Sequence, residues 1–414
     1  MKKKIDETPF DRKKRPVKQN LLAMPFLWSF SYFITKRAGL KIHKVNMKGL
    51  KPPFLVLGTH HSFMDFYVTP MALFPYRANY ISELEGFEAF GEWKYRQAGC
   101  LGTRKFVDDM ALIENIKYVV DDNRIIVIYP EARYCNVGTS SPLMPSVGKL
   151  VKLLKAPVVT LNMKGNYLQS PIWNLKKRKE VRLEAEITKV LTPEQIKQYS
   201  PEQIIAILQP YLDYDEYQWQ FHKKMAITYE KRAEGLHMPL YHCPACKKEF
   251  EMRSQSAQLF CDACKKRWHL DEYGRLRALS GETEFSHIPD WYEYQREEVK
   301  KEIDEGRYLL DMTVSIQALP NAKNFIDLGQ GRVRHDRNGF QLLFRDGGKL
   351  CFSPQQMTSI HTEYDYRGKG QCITLSTVDN TYFLFPKEQG FNATKIQFAT
   401  EYLYECTKSA EKSK

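Results

Sequence analysis

Between residues 54 and 163 the chain alternates short apolar runs with amphipathic stretches. FLVLGTHH, RANYIS, IIVIYPEA and APVVTLNM are separated by segments that read as helices near 62–73, 109–121 and 146–155. A short run that is apolar at every position suits a strand buried on both faces, with helices laid over a sheet. The alternation therefore implies an α/β domain with a largely parallel sheet. In open sheets of this kind ligands bind beyond the carboxyl ends of the strands. Two polar clusters, THHSFMD and YPEAR, each follow directly on such a run and can meet at one edge.

The remaining segments divide the chain. Residues 1–52 hold fourteen Lys or Arg against three Asp or Glu, so eleven of the thirteen net positive charges lie there. A charge this local suits an anionic membrane surface, and a general nucleic-acid-binding surface is not expected. Within it, LLAMPFLWSFSYFITKRAGL at 21–40 is rich in aromatic residues, flanked by cations and interrupted by Pro25. Its apolar run is shorter than the roughly 20 residues that span a bilayer, so it is expected to lie in the interface unless it is an ordinary core helix. The expected division is a basic, aromatic interface arm over 1–48, the α/β domain over 49–238 with a helical stretch near 201–235, and a cysteine-bearing module over 239–280. A charged helical linker over 281–306 then leads to a β-rich domain over 307–414 that closes with a helix near 391–406. That last domain resembles a pleckstrin-homology-like barrel in element order.

CPAC at 243–246 and CDAC at 261–264 are separated by fourteen residues. Two such pairs bring Cys243, Cys246, Cys261 and Cys264 within reach of one zinc ion, and four thiolates leave no position for water, so a structural zinc ribbon is expected. A redox pair or two disulfides are the competing readings. His242 and His269 flank the cysteines as bystanders. Nine cysteines with no secretory signal point to a reducing, cytoplasmic compartment.

His61 and Asp65 are four apart and His60 and Asp65 five apart. His60 can use Asp65 only from a loop before the helix. Ser62 then becomes a natural N-cap with Asp65 at the third helical position, a pattern that could equally do no more than cap backbone amides.

THHSFMD resembles the first motif of the glycerolipid acyltransferases typified by 1-acylglycerol-3-phosphate acyltransferase, a histidine and an aspartate with four residues between. His60 and Asp65 stand in the two key places and Thr59 where asparagine is usual. GCLGTRKF is similar to the second block, with Arg104 and Lys105 as its basic residues. YPEARY is similar to the third, usually F-P-E-G-T-R, with Glu131 aligned, Ala132 in place of the glycine and Arg133 one position early. APVVTLNM is similar to the fourth. The resemblance spans about residues 50–190.

It implies acyl transfer from a thioester, acyl-CoA or acyl-carrier protein, to the free hydroxyl of a lysophospholipid, foremost 1-acylglycerol 3-phosphate, at the cytoplasmic face of a membrane. His60 would be the general base and Asp65 its orienting partner, as in a Ser-His-Asp arrangement with the substrate hydroxyl replacing serine. Arg104, Lys105 and Arg133 would contact a phosphate. A different lipid acceptor, or an inactive membrane-bound scaffold on the same fold, are the alternatives. No protein partner of the C-terminal modules can be named.

Overall fold

The computed structural model describes residues 8–388 and 390–412. The chain divides into two units. The first comprises Phe10–Thr103 and Asp109–Ala226; the second takes Thr8 and Pro9, Arg104–Asp108 and residues 227–412.

The first unit is built on seven strands: β1 (Lys41–Val45), β2 (Phe54–Gly58), β3 (Ala78–Glu83), β4 (Cys100–Thr103), β5 (Ile125–Ile128), β6 (Val158–Lys164) and β7 (Glu184–Leu191), in the order β1-β7-β6-β2-β5-β3-β4. All neighbours are parallel except β6 and β7. Every residue of β2 is buried, which is why its sequence is apolar throughout. Helices Met110–Asp121, Pro145–Leu154 and Pro201–Leu212 press Ile116, Val119, Val151, Ile204 and Leu208 into a shared core with Leu55, Leu57 and Ile126. Each fully buried aliphatic side chain contributes about 1.5–3 kcal/mol. Local chemistry sets the helix starts. The Asp109 carboxylate accepts from the Leu112 amide, and Ser200 and Gln203 form a reciprocal capping box ahead of Pro201. The stretch expected to be helical over 201–235 instead breaks at Asp213–Asp215, where Asp215 caps a separate helix, Glu216–His222.

From Phe10 onward the expected arm over 1–48 is part of this unit. Residues 1–7 lie outside the described residues, but β1 pairs with β7 at the sheet edge. Residues 10–20 run against the sheet domain: the Gln19 side chain accepts from the Ala78 amide at 2.8 Å, Arg124 donates to Pro16 O, and Phe10 packs on Phe87. The uncharged Phe10, Pro16 and Gln19 anchor this segment, while Lys13, Lys14, Arg15 and Lys18 stay exposed. Pro25 sits in the first turn of helix Met24–Arg37 and so begins the helix rather than interrupting it. Only Met24, Ser31 and Thr35 of that helix are buried; Phe26, Phe30 and Phe33 are exposed. No helix among the described residues is long and apolar enough to cross a membrane.

The second unit holds a small antiparallel sheet, β8 (Met252–Gln255), β9 (Gln258–Cys261), β10 (Arg267–Leu270) and β11 (Leu276–Ala278), followed by helix Ile288–Asp304. Seven antiparallel strands follow: β12 (Leu310–Ala318), β13 (Ile326–Asp336), β14 (Gly339–Phe344), β15 (Lys349–Phe352), β16 (His361–Glu363), β17 (Cys372–Ser376) and β18 (Thr381–Pro386). They are ordered β15-β14-β13-β12-β18-β17-β16. Helix Ala393–Lys412 closes the chain and runs beyond the expected 406. Residues 227–238, expected with the α/β domain, belong here.

Candidate active site

β6, β2 and β5 lie side by side and parallel, so the loops after them emerge at one sheet edge. The loop after β2 carries Thr59, His60 and His61; the loop after β5 carries Tyr129 to Arg133; the loop after β6 carries Gly165 and Asn166. The β2 and β5 clusters thus meet as their sequence positions imply.

Asp65 is the hub. It opens helix Asp65–Leu73 instead of standing at its third position, and Met64, not Ser62, precedes the helix without a side-chain cap. The carboxylate turns back on the loop, where it both caps backbone amides and holds His60. Its Oδ2 accepts from His60 Nδ1 at 3.0 Å, from the His61 amide at 2.7 Å and from the Ser62 amide at 3.2 Å. Its Oδ1 accepts from Asn166 Nδ2 at 2.7 Å. A carboxylate with 1% exposure needs donors on both oxygens, and these four supply them. Asn166 was not among the residues singled out from the sequence. It is 101 positions from Asp65, and nothing local in LNMKGNY marks it.

With Nδ1–H directed at Asp65, the His60 lone pair is on Nε2, which makes no hydrogen bond among the described residues. The His60 side chain is partly exposed, 15%. Its ring stacks on Tyr129 at 4.4 Å and 13° and meets Tyr134 at 4.4 Å and 47°. The Tyr129 ring also presses on Gly58, where an added Cβ would lie 2.8 Å from Tyr129 Cε1.

His61 has a different role. It is fully buried, its Nε2 is 2.8 Å from Thr59 Oγ1, and Thr59 Oγ1 accepts from the Met163 amide. Burial brings the His61 imidazole down to about 4, so it is neutral at neutral pH and ties β2 to β6.

Glu131 is half-buried. It accepts from the Tyr214 hydroxyl at 3.1 Å and from the His60 amide at 3.4 Å. Burial pushes its carboxyl up to about 7, with Arg133 opposing. Arg133 is buried beside it and donates to Ser141 Oγ at 3.4 Å. Ala132, where the resembled family has glycine, has φ of 55°, the left-handed region that favours glycine. Below the site, both oxygens of the fully buried Glu216 accept from the Gly165 amide at 2.7 and 3.0 Å, which fixes the turn that aims Asn166. Burial pushes Glu216 up to about 8, the Gly165 hydrogen bond opposing.

Arg104 and Lys105, expected to contact a phosphate, belong to the second unit, where their side chains are engaged. The Arg104 guanidinium donates to the carbonyls of Leu319, Pro320, Val378 and Asp379 and to Thr381 Oγ1, and Lys105 Nζ lies 2.9 Å from His361 Nδ1. Carbonyls at the ends of the seven-stranded sheet satisfy the cation that sequence alone left for a substrate. Cys243, Cys246, Cys261 and Cys264 also come together within the second unit.

A buried carboxylate orienting a histidine whose other nitrogen is open is an arrangement that can accept a proton from a hydroxyl. Residues 39–164, which contain the loops after β2 and β5, match the Acyltransferase family. The chain is also similar to the crystal structure of the 1-acyl-sn-glycerophosphate (LPA) acyltransferase PlsC from Thermotoga maritima. That likeness has 12% identity and a TM-score of 0.34 over 46% of this chain and 81% of that one, too low to carry an argument about substrate. No curated protein matches the sequence.

Proposed function

We propose that the first unit moves a fatty acyl group from an acyl thioester, coenzyme A or acyl-carrier protein, to the free hydroxyl of a lysophospholipid, foremost 1-acylglycerol 3-phosphate. The observation that supports this most is the His60–Asp65 pair, its Nδ1 held by a fully hydrogen-bonded carboxylate and its Nε2 left open, inside the span that matches the Acyltransferase family.

In this reading His60 Nε2 takes the proton from the acceptor hydroxyl as its oxygen attacks the thioester carbonyl. The imidazolium that forms is stabilised by Asp65 and returns the proton to the departing thiolate. Bonds balance: one ester forms, one thioester breaks, and the thiol leaves protonated, with no acyl-enzyme required. Arg133 is the cation beside the site that could meet a phosphate. The exposed Phe26, Phe30 and Phe33 with the neighbouring Lys36 and Arg37 suit a peripheral seat on an anionic membrane surface, where the lipid acceptor resides. The proposal is tested by incubating the purified chain with labelled acyl-CoA and a panel of lysolipids and identifying products by mass spectrometry. Transfer to a non-phosphorylated acceptor alone would move the substrate class.

A further inference from the structure

We propose that Cys243, Cys246, Cys261 and Cys264 hold one zinc ion in a closed four-thiolate site of the second unit. The loops that carry them, CPACKK and CDACKK, differ at one position, Pro244 against Asp262, and fold alike. The Lys247 amide donates to Cys243 O and the Lys265 amide to Cys261 O; the Cys243 amide donates to Lys248 O and the Cys261 amide to Lys266 O, all at 2.9–3.0 Å. Lys247 and Lys265 share a φ of 62°, a left-handed backbone that a lysine enters under local constraint. The Ala245 and Cys246 amides point at the Cys243 sulfur, and those of Ala263 and Cys264 at the Cys261 sulfur. Amide donors aimed at sulfur suit thiolate ligands.

The spacing of the sulfurs fits the same ion. Cys243 Sγ lies 3.7 Å from Cys264 Sγ, and Cys246 Sγ lies 3.8 Å from Cys261 Sγ; all four sulfurs fall within 4.8 Å of one another. A tetrahedron with Zn–S bonds of about 2.3 Å has edges of about 3.8 Å, whereas a disulfide requires about 2.05 Å. His269 is engaged by Arg232, and His242 lies against Tyr241 and Tyr294, so neither completes the set. Four sulfurs close the shell and leave no place for a reacting water, which makes the ion structural.

The site fastens more than its own loops. The His242 amide donates to Gln295 Oε1, and Trp291 Nε1 donates to His242 O, so the first cysteine loop is tied to helix Ile288–Asp304. Trp268, on the strand that follows the second loop, packs edge-on against Trp291 at 5.0 Å. Four strands of three or four residues each are too little sheet to hold this arrangement by apolar burial alone.

The test uses the full chain purified without chelator or metal-affinity tag. Elemental analysis is expected to find one zinc per chain, and a strong chelator should open four further cysteines to alkylation beyond the exposed Cys351 and Cys406, the buried Cys100, Cys135 and Cys372 staying protected. Zinc removal should then change the tryptophan fluorescence. Replacement of the zinc by cobalt should give the thiolate-to-metal charge-transfer absorption and intense visible bands of a tetrahedral four-sulfur site, a readout that does not depend on any variant folding. Cys246→Ser and Cys264→Ser, at the two less buried positions, should each weaken zinc retention at least tenfold against a competing chelator. No metal, iron in place of zinc, cobalt spectra without sulfur ligation, or unchanged retention in both variants would each overturn the assignment.

Discussion

Asn166 Nδ2 lies 2.7 Å from Asp65 Oδ1, joining the loop after β6 to the helix after β2 across 101 residues of sequence. The contact fills the second oxygen of a carboxylate whose first oxygen holds His60, so Asn166 sets the angle at which Asp65 meets the imidazole. Glu216 in turn holds Gly165, and the orientation of His60 is built from three layers of side chains.

Asn166→Ala is expected to lower kcat by about 10–100-fold with KM nearly unchanged, the loss of one hydrogen bond to a charged group being worth roughly 1.5–3 kcal/mol. Steady-state kinetics check this. An effect confined to KM would place Asn166 in substrate binding instead of positioning.

Glu216 makes stability depend on pH. Its folded carboxyl is raised to about 8, above the unfolded value of about 4.3, so the folded chain keeps a proton that the unfolded chain releases. The stability this confers is full at pH below about 4.3 and is lost as pH rises toward about 8; Glu131, raised to about 7, acts in the same direction. Denaturant midpoints should therefore fall between about pH 5 and about pH 8. Glu216→Gln keeps an acceptor for the Gly165 amide and should flatten that fall. A variant with the same pH slope as the parent would show that Glu216 does not carry it.

Ala132→Gly is expected to stabilise. The left-handed backbone costs alanine roughly 1–2 kcal/mol, and the extra freedom of glycine in the unfolded chain returns about 0.4–1 kcal/mol of that. A rise in Tm of about 1–3 °C should follow, measured by calorimetry. A fall would mean that the turn after Glu131 does not hold φ at 55°.

The exposed face of helix Met24–Arg37 gives a prediction that leaves the fold intact. Deleting the whole arm would remove Gln19 and β1 from the first unit, whereas Phe26, Phe30 and Phe33 are mostly in solvent. Replacing all three with serine should weaken binding to anionic vesicles more than tenfold, since each inserted phenylalanine contributes about 1.5–3 kcal/mol. Binding of the parent should also weaken with added salt. Equal vesicle binding by parent and variant would remove this helix as the membrane seat.

The sheet was legible because β2 and β5 are buried on both faces and their runs are apolar throughout; the polar clusters after them had to reach the same edge once the strands were parallel neighbours. What was not legible depended on partners distant in sequence. Ser62 and Asp65 carry the spacing of a helix cap, and the carboxylate does accept from the Ser62 amide, but the spacing does not show that His60 Nδ1 and the side chain of Asn166 share it. Arg104 looks like a substrate cation until Leu319 and Thr381, more than two hundred positions away, take up its donors. Pro25 reads as a break in an apolar run because sequence does not reveal that the helix begins one residue before it. The aromatic face of that helix was visible; that residues 10–20 are bound to the sheet domain, by Phe10 and Gln19 and by the Arg12–Asp109 ion pair, was not.

The most direct measurement compares His60→Ala and His61→Ala for formation of the diacyl product from acyl-CoA and 1-acylglycerol 3-phosphate, followed by mass spectrometry and scaled to folded protein. His60→Ala should lose about 10²–10⁴-fold, the share typical of a general base, while His61→Ala, though less stable, should retain most of its activity per folded molecule. Equal loss from the two substitutions, or transfer that survives in His60→Ala, would contradict the assignment of His60 as the base.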